Sequence, residues 1–149
     1  MKIRELTEKE CFALLPRARL VRLACAREGQ PYVVPISLVY ADVFLYGFTT
    51  AGQKVEWMRA NPRVCVEWDE ATSPLEWTSM VVLGTYEELP DVPEWRTERQ
   101  RAHDLLAEGN VSWWQPGAVS DRLREPDHSL TPIYFRIRIG PVSGRRATS

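Results

Sequence analysis

The stretch PYVVPISLVYADVFLYGFTTAGQKVEWMRANPRVCVE, Pro31 to Glu67, decides how this chain folds. Two apolar runs, Tyr32–Tyr40 and Val43–Thr50, are joined tightly through Ala41-Asp42 and read as paired strands. A helix follows from Gly52 to Ala60 and stops at Asn61-Pro62, because the residue before a proline is pushed out of the helical region. Arg63 to Asp69 then alternates Val64, Val66 and Trp68 with Cys65 and Glu67, the pattern of another strand. Between strand and helix lies Thr49-Thr50-Ala51-Gly52-Gln53-Lys54. Threonine hydroxyls, the unpaired N–H groups of a first helical turn and one ammonium can converge there on a phosphate. The same residues also read as an ordinary helix start, with Thr50 as N-cap and Lys54 in solvent.

Pro35 interrupts the first of these runs. Proline lacks the donor that a central ladder needs, so it marks an edge strand, a bulge or a place where backbone is kept free for a ligand. Upstream, Thr7-Glu8-Lys9-Glu10 is a capping box, opening a helix that carries Cys11, Leu14 and Leu15 inward and stops near Pro16. Arg19–Arg27 reads as a strand with Val21, Leu23 and Cys25 on one face, turning at Gly29-Gln30.

Downstream, a polar loop from Glu70 to Pro74 precedes a long strand, Leu75–Leu89, with Trp77, Ser79, Val81 and Leu83 on one face. Pro93 sits in the first turn of a helix whose apolar side is Trp95, Ala102, Leu105 and Leu106, and Gly109 ends it. Residues Asn110 to Leu130 are weakly patterned and read as an irregular excursion. The last strand, Pro132–Gly140, alternates Ile133, Phe135, Ile137 and Ile139 with Tyr134, Arg136 and Arg138, leaving one face wet. Many short strands at hairpin spacing with a few helices predict a mainly β protein, a small antiparallel barrel carrying helical additions. Its 149 residues suit a single domain, 1–149.

Composition narrows the function. The net charge is −1 with no basic block, which argues against nucleic acid as the main partner. No apolar run is long enough for a membrane span, and MKIRELTEKE is too charged for a signal peptide, so a cytoplasmic location is expected. Cys11, Cys25 and Cys65 show no CxxC, and Cys25 and Cys65 read as buried reduced thiols. With only His103 and His128 besides, no metal centre is expected. Neither histidine accompanies a GxSxG, and GxGxxG and Walker A patterns are absent, so no hydrolytic triad, Rossmann site or P-loop is indicated. Lys2 and Lys9 lie at the N-terminus, which leaves Lys54 the sole interior lysine.

Three pieces in order, ARLVRLACAREGQPYVVPISLVY, LYGFTTAGQKVEWMRANPRVCVEWDE and EWTSMVVLGTYEEL, with FRIRIGPVSGRR to close, resemble the pyridoxamine 5′-phosphate oxidase-like flavoproteins. Within these the chain is similar to the branch of nitroimidazole-resistance proteins. The resemblance implies a six-stranded antiparallel split β-barrel of Greek-key type that forms a homodimer with FMN in its interface. Carried over by motif, Lys54 would bind the FMN phosphate with Thr49 and Thr50, and Pro35, Ile36 and Ser37 would edge the flavin ring. Trp77 and Ser79 would approach the cofactor from the partner subunit; read from the residues alone, Trp77 is equally a core tryptophan.

That branch usually carries histidine in a pattern like LYFHTA, where this chain has Phe48 in LYGFTT. Nitroreductase chemistry is therefore not carried over. Vitamin-B6 oxidation is not carried over either, since its substrate-binding Arg and His find no match near the C-terminus. The expectation is an FMN-dependent oxidoreductase working with a small-molecule electron donor or acceptor. The alternatives are a non-catalytic flavin or haem binder, with His103 or His128 as haem ligand, and a deazaflavin-dependent reductase of the same fold. Trp113 and Trp114 could cover the ring face or pack within the tail.

Overall fold

The computed structural model describes residues 1–109 and 131–149. The excursion expected over 110–130, with Ser112, Trp113, Trp114 and His128, lies outside the described residues. The elements are β1 (Lys2–Glu5), α1 (Glu8–Leu14), β2 (Leu20–Arg27), β3 (Gln30–Ser37), β4 (Val39–Ala41), β5 (Phe44–Thr49), α2 (Gln53–Ala60), β6 (Arg63–Ser73), β7 (Glu76–Leu89), α3 (Arg96–Glu108) and β8 (Ile133–Thr148). All strand pairings are antiparallel, in the order β3-β2-β6-β7-β8-β5-β4, with β1 added to β8. The two ends of this order, β3 and β4, are neighbours in the chain, separated only by Leu38. The sheet thus curls on itself without a closing ladder, which is a split barrel. Counting β3–β4 as one interrupted strand and β1 as an N-terminal addition gives the six strands expected.

Alternation explains the barrel interior. In β2, Val21, Leu23 and Cys25 are buried while Leu20 and Arg22 are exposed. They join Val64, Val66 and Trp68 of β6 and Met80 and Val82 of β7 in the main core. A second core forms outside the barrel wall, where Leu106 and Ala102 of α3 cover Val39, Tyr46, Leu89 and Tyr134. Leu38 and Phe135 are completely buried in the main core, and both press on Gly47, where no side chain intervenes.

Several boundaries differ from the sequence reading, each for a physical reason. The run Tyr32–Tyr40 is two strands, because Leu38 N–H donates to Arg19 O (2.9 Å) and the chain changes partner from β2 to β5. The hairpin turn falls at Glu28-Gly29, both at positive φ (51° and 80°), which is the pairing a two-residue hairpin of right-handed twist demands. Glu70–Ser73 is strand, not loop; it continues the β6–β7 ribbon beyond the core, where nothing requires apolar residues. β8 runs on past Gly140-Pro141 to Thr148 through a bulge opposite Leu83, one of the few places a strand tolerates proline. Its predicted wet face is wet only from Arg138 onward, since Tyr134 is under α3 and Arg136 lies 3.9 Å over the Phe44 ring, held by Glu87. Cys65 is half-buried on the outer face, unlike Cys11 and Cys25, because it alternates with Val64 and Val66.

The capping box is present. Thr7 Oγ1 accepts from Glu10 N–H (3.2 Å), and Glu10 Oε1 accepts from Thr7 N–H (3.1 Å). Arg4 donates to the same carboxylate at 2.8 and 3.0 Å, holding its pKa down to about 2. Thr7→Ala is expected to cost about 1 kcal/mol of stability, measured as a shifted urea midpoint at unchanged slope. An unchanged midpoint would mean that Arg4 alone suffices to hold this helix start.

Candidate flavin site at the barrel seam

The seam begins where β3 and β4 part. The β4–β5 ladder pairs Val39 with Tyr46, Tyr40 with Leu45 and Ala41 with Phe44. Continued in that register, Ile36 would face Thr49 and Pro35 would face Thr50. Instead β3 bends away to pair with β2, placing Ile36 on Val21 and Pro35 on Arg22. Pro35-Ile36-Ser37 and Thr49-Thr50 therefore form opposite lips of the opening. β3 ends the strand order, so Pro35 is an edge proline, and among the described residues the side of β3 away from β2 carries no ladder.

Ser37 and Thr49 are the two polar residues buried among the described residues, each 8% exposed. Thr49 Oγ1 makes only a long contact with Thr50 O (3.4 Å), and no side-chain hydrogen bond reaches Ser37 among the described residues. Buried hydroxyls usually find partners, so both have capacity to spare at the lips.

α2 starts one short turn beyond Thr50. Its N-cap is Gly52, with no side-chain cap, so the expected cap by Thr50 is not made and that hydroxyl is not spent on the helix. Val55 and Met58 point into the core, Trp57 packs on Tyr32 at 5.5 Å between ring centroids, and Asn61 Nδ2 donates to Ala26 O (3.0 Å). These contacts fix the helix over the β2–β3 hairpin. Lys54, on its first turn, is half-buried and has no carboxylate partner among the described residues. Burial pushes its ammonium below the usual lysine value, with the Cys25 sulfur acting weakly the other way. A desolvated cation with no anion partner, on the first turn of a helix that follows hydroxyls with open capacity, suits an anionic ligand.

Trp77 and Ser79 lie elsewhere. Thr49 pairs with Ile133 at the start of β8, whereas Trp77 pairs with Ala147 near its end. One chain brings Pro35, Ile36, Ser37, Thr49 and Thr50 to the two lips of the seam, with Lys54 on the first turn of α2 near Cys25 of β2, whereas Ser79 and Trp77 lie on β7, two strands beyond β2, which pairs with Pro35. Trp77 is half-buried on the outer face of β7 and absent from both cores, so the core-tryptophan reading does not hold; Trp68 is the core tryptophan.

The sequence reading missed the surroundings of Phe48. Its ring packs on Tyr134 at 5.5 Å between centroids, and the Tyr134 hydroxyl lies 2.9 Å from His103 Nδ1. Position 48 thus faces the second core beneath α3. The helical spacing of Ala102 and Leu106 marks the side of α3 that faces it, but nothing in the sequence pairs His103 with Tyr134.

Known proteins agree with this architecture. A solved FAD-binding protein from Mesorhizobium loti is 45% identical and superposes with a TM-score of 0.80, covering 99% of this chain and 100% of its own. An uncharacterised protein of Rhizobium meliloti (strain 1021) is 37% identical over 147 residues, 99% of this chain and 97% of that protein. A candidate 5-nitroimidazole antibiotic resistance protein from Bacteroides thetaiotaomicron shares the fold, with a TM-score of 0.67 at 17% identity over 100% of this chain and 93% of its own. The family model described as pyridoxamine 5′-phosphate oxidase matches residues 7–146, from the capping box to the end of β8. With the split barrel and that match over nearly its whole length, the chain belongs to the pyridoxamine 5′-phosphate oxidase family.

Proposed function

We propose that this protein is a homodimeric FMN-dependent oxidoreductase acting with a small-molecule electron donor or acceptor, its cofactor held at the barrel seam. The observation that carries the reading is Lys54, a half-buried ammonium with no carboxylate partner among the described residues, on the first turn of the helix that follows the buried Thr49. When bound, the flavin supplies the redox chemistry, carrying a hydride equivalent or single electrons on its ring. The protein's part is to bind, orient and exclude water. Lys54 Nζ donates to a phosphate oxygen, a pairing that restores the proton affinity which burial removes. The Thr49 and Thr50 hydroxyls donate to the same group. The unpaired edge of β3 at Pro35-Ile36-Ser37 presents backbone groups to the polar rim of the ring.

Trp77 and Ser79 enter from the partner subunit, as the family resemblance implies, from the outer face of β7. No side chain is assigned as acid or base. The family name carries no vitamin-B6 activity to this chain. The FAD named for the Mesorhizobium loti relative makes FAD the second reading.

Purified protein should be yellow with the two-banded spectrum of an oxidised flavin, and heat-released cofactor should co-elute with FMN on chromatography. Co-elution with FAD, or a deazaflavin spectrum, would replace the cofactor while keeping the site. A haem band, or colourless protein that does not take up added FMN, would overturn the reading. Oxidation of reduced nicotinamide with added acceptors then separates an enzyme from a flavin store.

A further inference from the structure

A polar cluster braces the last turn of α2. Arg59 forks onto Glu88 of β7: its Nε donates to Oε1 at 2.8 Å and its Nη2 to Oε2 at 3.0 Å. The hydroxyl of the buried Tyr86 donates to the same Oε1 at 2.7 Å. Burial alone would raise the Glu88 carboxyl, but the bonds from Arg59 and Tyr86 outweigh it and keep it below the usual carboxylate value. Tyr86 N–H also donates to Pro62 O (2.7 Å), so the end of the helix and the chain leaving it are both tied to β7. Register carries the tie across the barrel, because Glu88 pairs with Phe135 and Phe135 with Gly47, two residues before Thr49.

Helix geometry gives this cluster a use. Val55 and Met58 form the buried stripe of α2. At about 3.6 residues per turn, Lys54 and Arg59 lie about 70° to either side of that stripe. Apolar contacts are non-directional, so a stripe of two side chains leaves the helix able to roll about it. A roll that lifts Arg59 lowers Lys54, and the reverse, as on a see-saw. Turning by about 20° moves a side-chain tip, about 5–6 Å from the axis, by about 2 Å, which breaks a charge-assisted hydrogen bond of about 2.8 Å. A bidentate fork has a preferred plane and resists this motion. Trp57 on Tyr32 braces the helix over the β2–β3 hairpin, and the fork braces it on β7.

We propose that Arg59 and Glu88 are positioning residues for the cofactor phosphate: their fork sets the roll of α2 and so the place of the Lys54 ammonium. The inference rests on the flavin site proposed above and adds the residues that aim it. Both act through Lys54.

A binding cycle tests this, with FMN affinity measured by titration calorimetry on apoprotein of Arg59→Met and Glu88→Gln, each alone and combined with Lys54→Ala. Each single substitution should weaken binding about three- to tenfold, and neither should weaken it further once Lys54 is alanine. A direct charge effect on the phosphate would instead move the two variants in opposite directions, since one removes a cation and the other an anion. Arg59→Lys keeps the charge but not the fork, and should bind more weakly than wild type. Opposite signs, equal losses with and without Lys54, wild-type affinity in Arg59→Lys, or no loss in the single variants would overturn the inference while leaving the flavin site standing. Should Glu88→Gln fail to fold, the two Arg59 variants, which alter a half-exposed side chain, decide by the same criteria. Unchanged affinity in Lys54→Ala, or no FMN uptake by the wild-type protein, would overturn the site itself and this inference with it.

Discussion

Replacing Lys54 with alanine is expected to weaken flavin binding by about 1.5–3 kcal/mol, the typical worth of a charge-assisted hydrogen bond, or roughly ten- to a hundredfold in affinity. The expectation follows from where the ammonium sits. α2 is anchored by Val55 and Met58 in the core and by Trp57 on Tyr32, so Lys54 is held at the seam and loses little freedom on binding. It lacks a carboxylate partner among the described residues, so an arriving phosphate has no ion pair to displace. Titration calorimetry of apoprotein with FMN measures the loss. Lys54→Arg should recover part of it, whereas unchanged affinity in Lys54→Ala would remove this lysine from the site. Stability should move little, because a half-buried cation without a partner contributes no ion pair to the fold.

The second large effect is expected at Gly47 and Phe135. A Cβ on Gly47 would stand 2.4 Å from Phe135 Cζ and 2.7 Å from Leu38 Cδ2, both in side chains with no solvent exposure. Gly47→Ala is therefore expected to destabilise by about 2–3 kcal/mol through overpacking. Phe135→Ala should cost about 3–5 kcal/mol, since it removes a ring packed on Tyr86 and leaves a cavity. Combined, the new methyl at 47 enters space that the ring vacates, and the double mutant should lose at least about 1 kcal/mol less than the sum. Urea denaturation followed by tryptophan fluorescence, at one protein concentration, completes the cycle. Additive losses would show that the ring does not limit this glycine.

Where two-residue alternation met an apolar core, the strands of this protein were legible in its sequence. β2, the start of β6 and most of β7 are of that kind, β5 was legible instead as a continuous apolar run buried on both faces, and the Thr7 capping box and the Gly109 stop of α3 were legible from local end signals. β1 was not: Lys-Ile-Arg-Glu is exposed throughout and becomes a strand only because β8 extends far enough to pair with it. The same long-range pairing carries β8 through Pro141, against the local meaning of proline.

At the seam, Lys54 stood out as the sole interior lysine, but its burial depends on the hairpin beneath α2, which no local pattern reveals. That Thr49 and Trp77 pair with opposite ends of β8 was likewise invisible until register fixed both. Phe48 was read as a missing histidine, and the structure adds what occupies the neighbourhood instead: Tyr134, with His103 behind it.

Leu38 carries one more consequence. It is the single residue joining the two rims of the seam, fully buried, with its N–H tied to Arg19 and its methyl seated over Gly47. Mechanically it is the rivet of a pair of scissors. The lips at Ile36 and Thr49 have a fixed fulcrum at one end, so what the mouth admits is set by the angle of two blades rather than by strands sliding past each other. A bulkier ligand can be met only by splaying that angle, at the expense of the packing around the rivet.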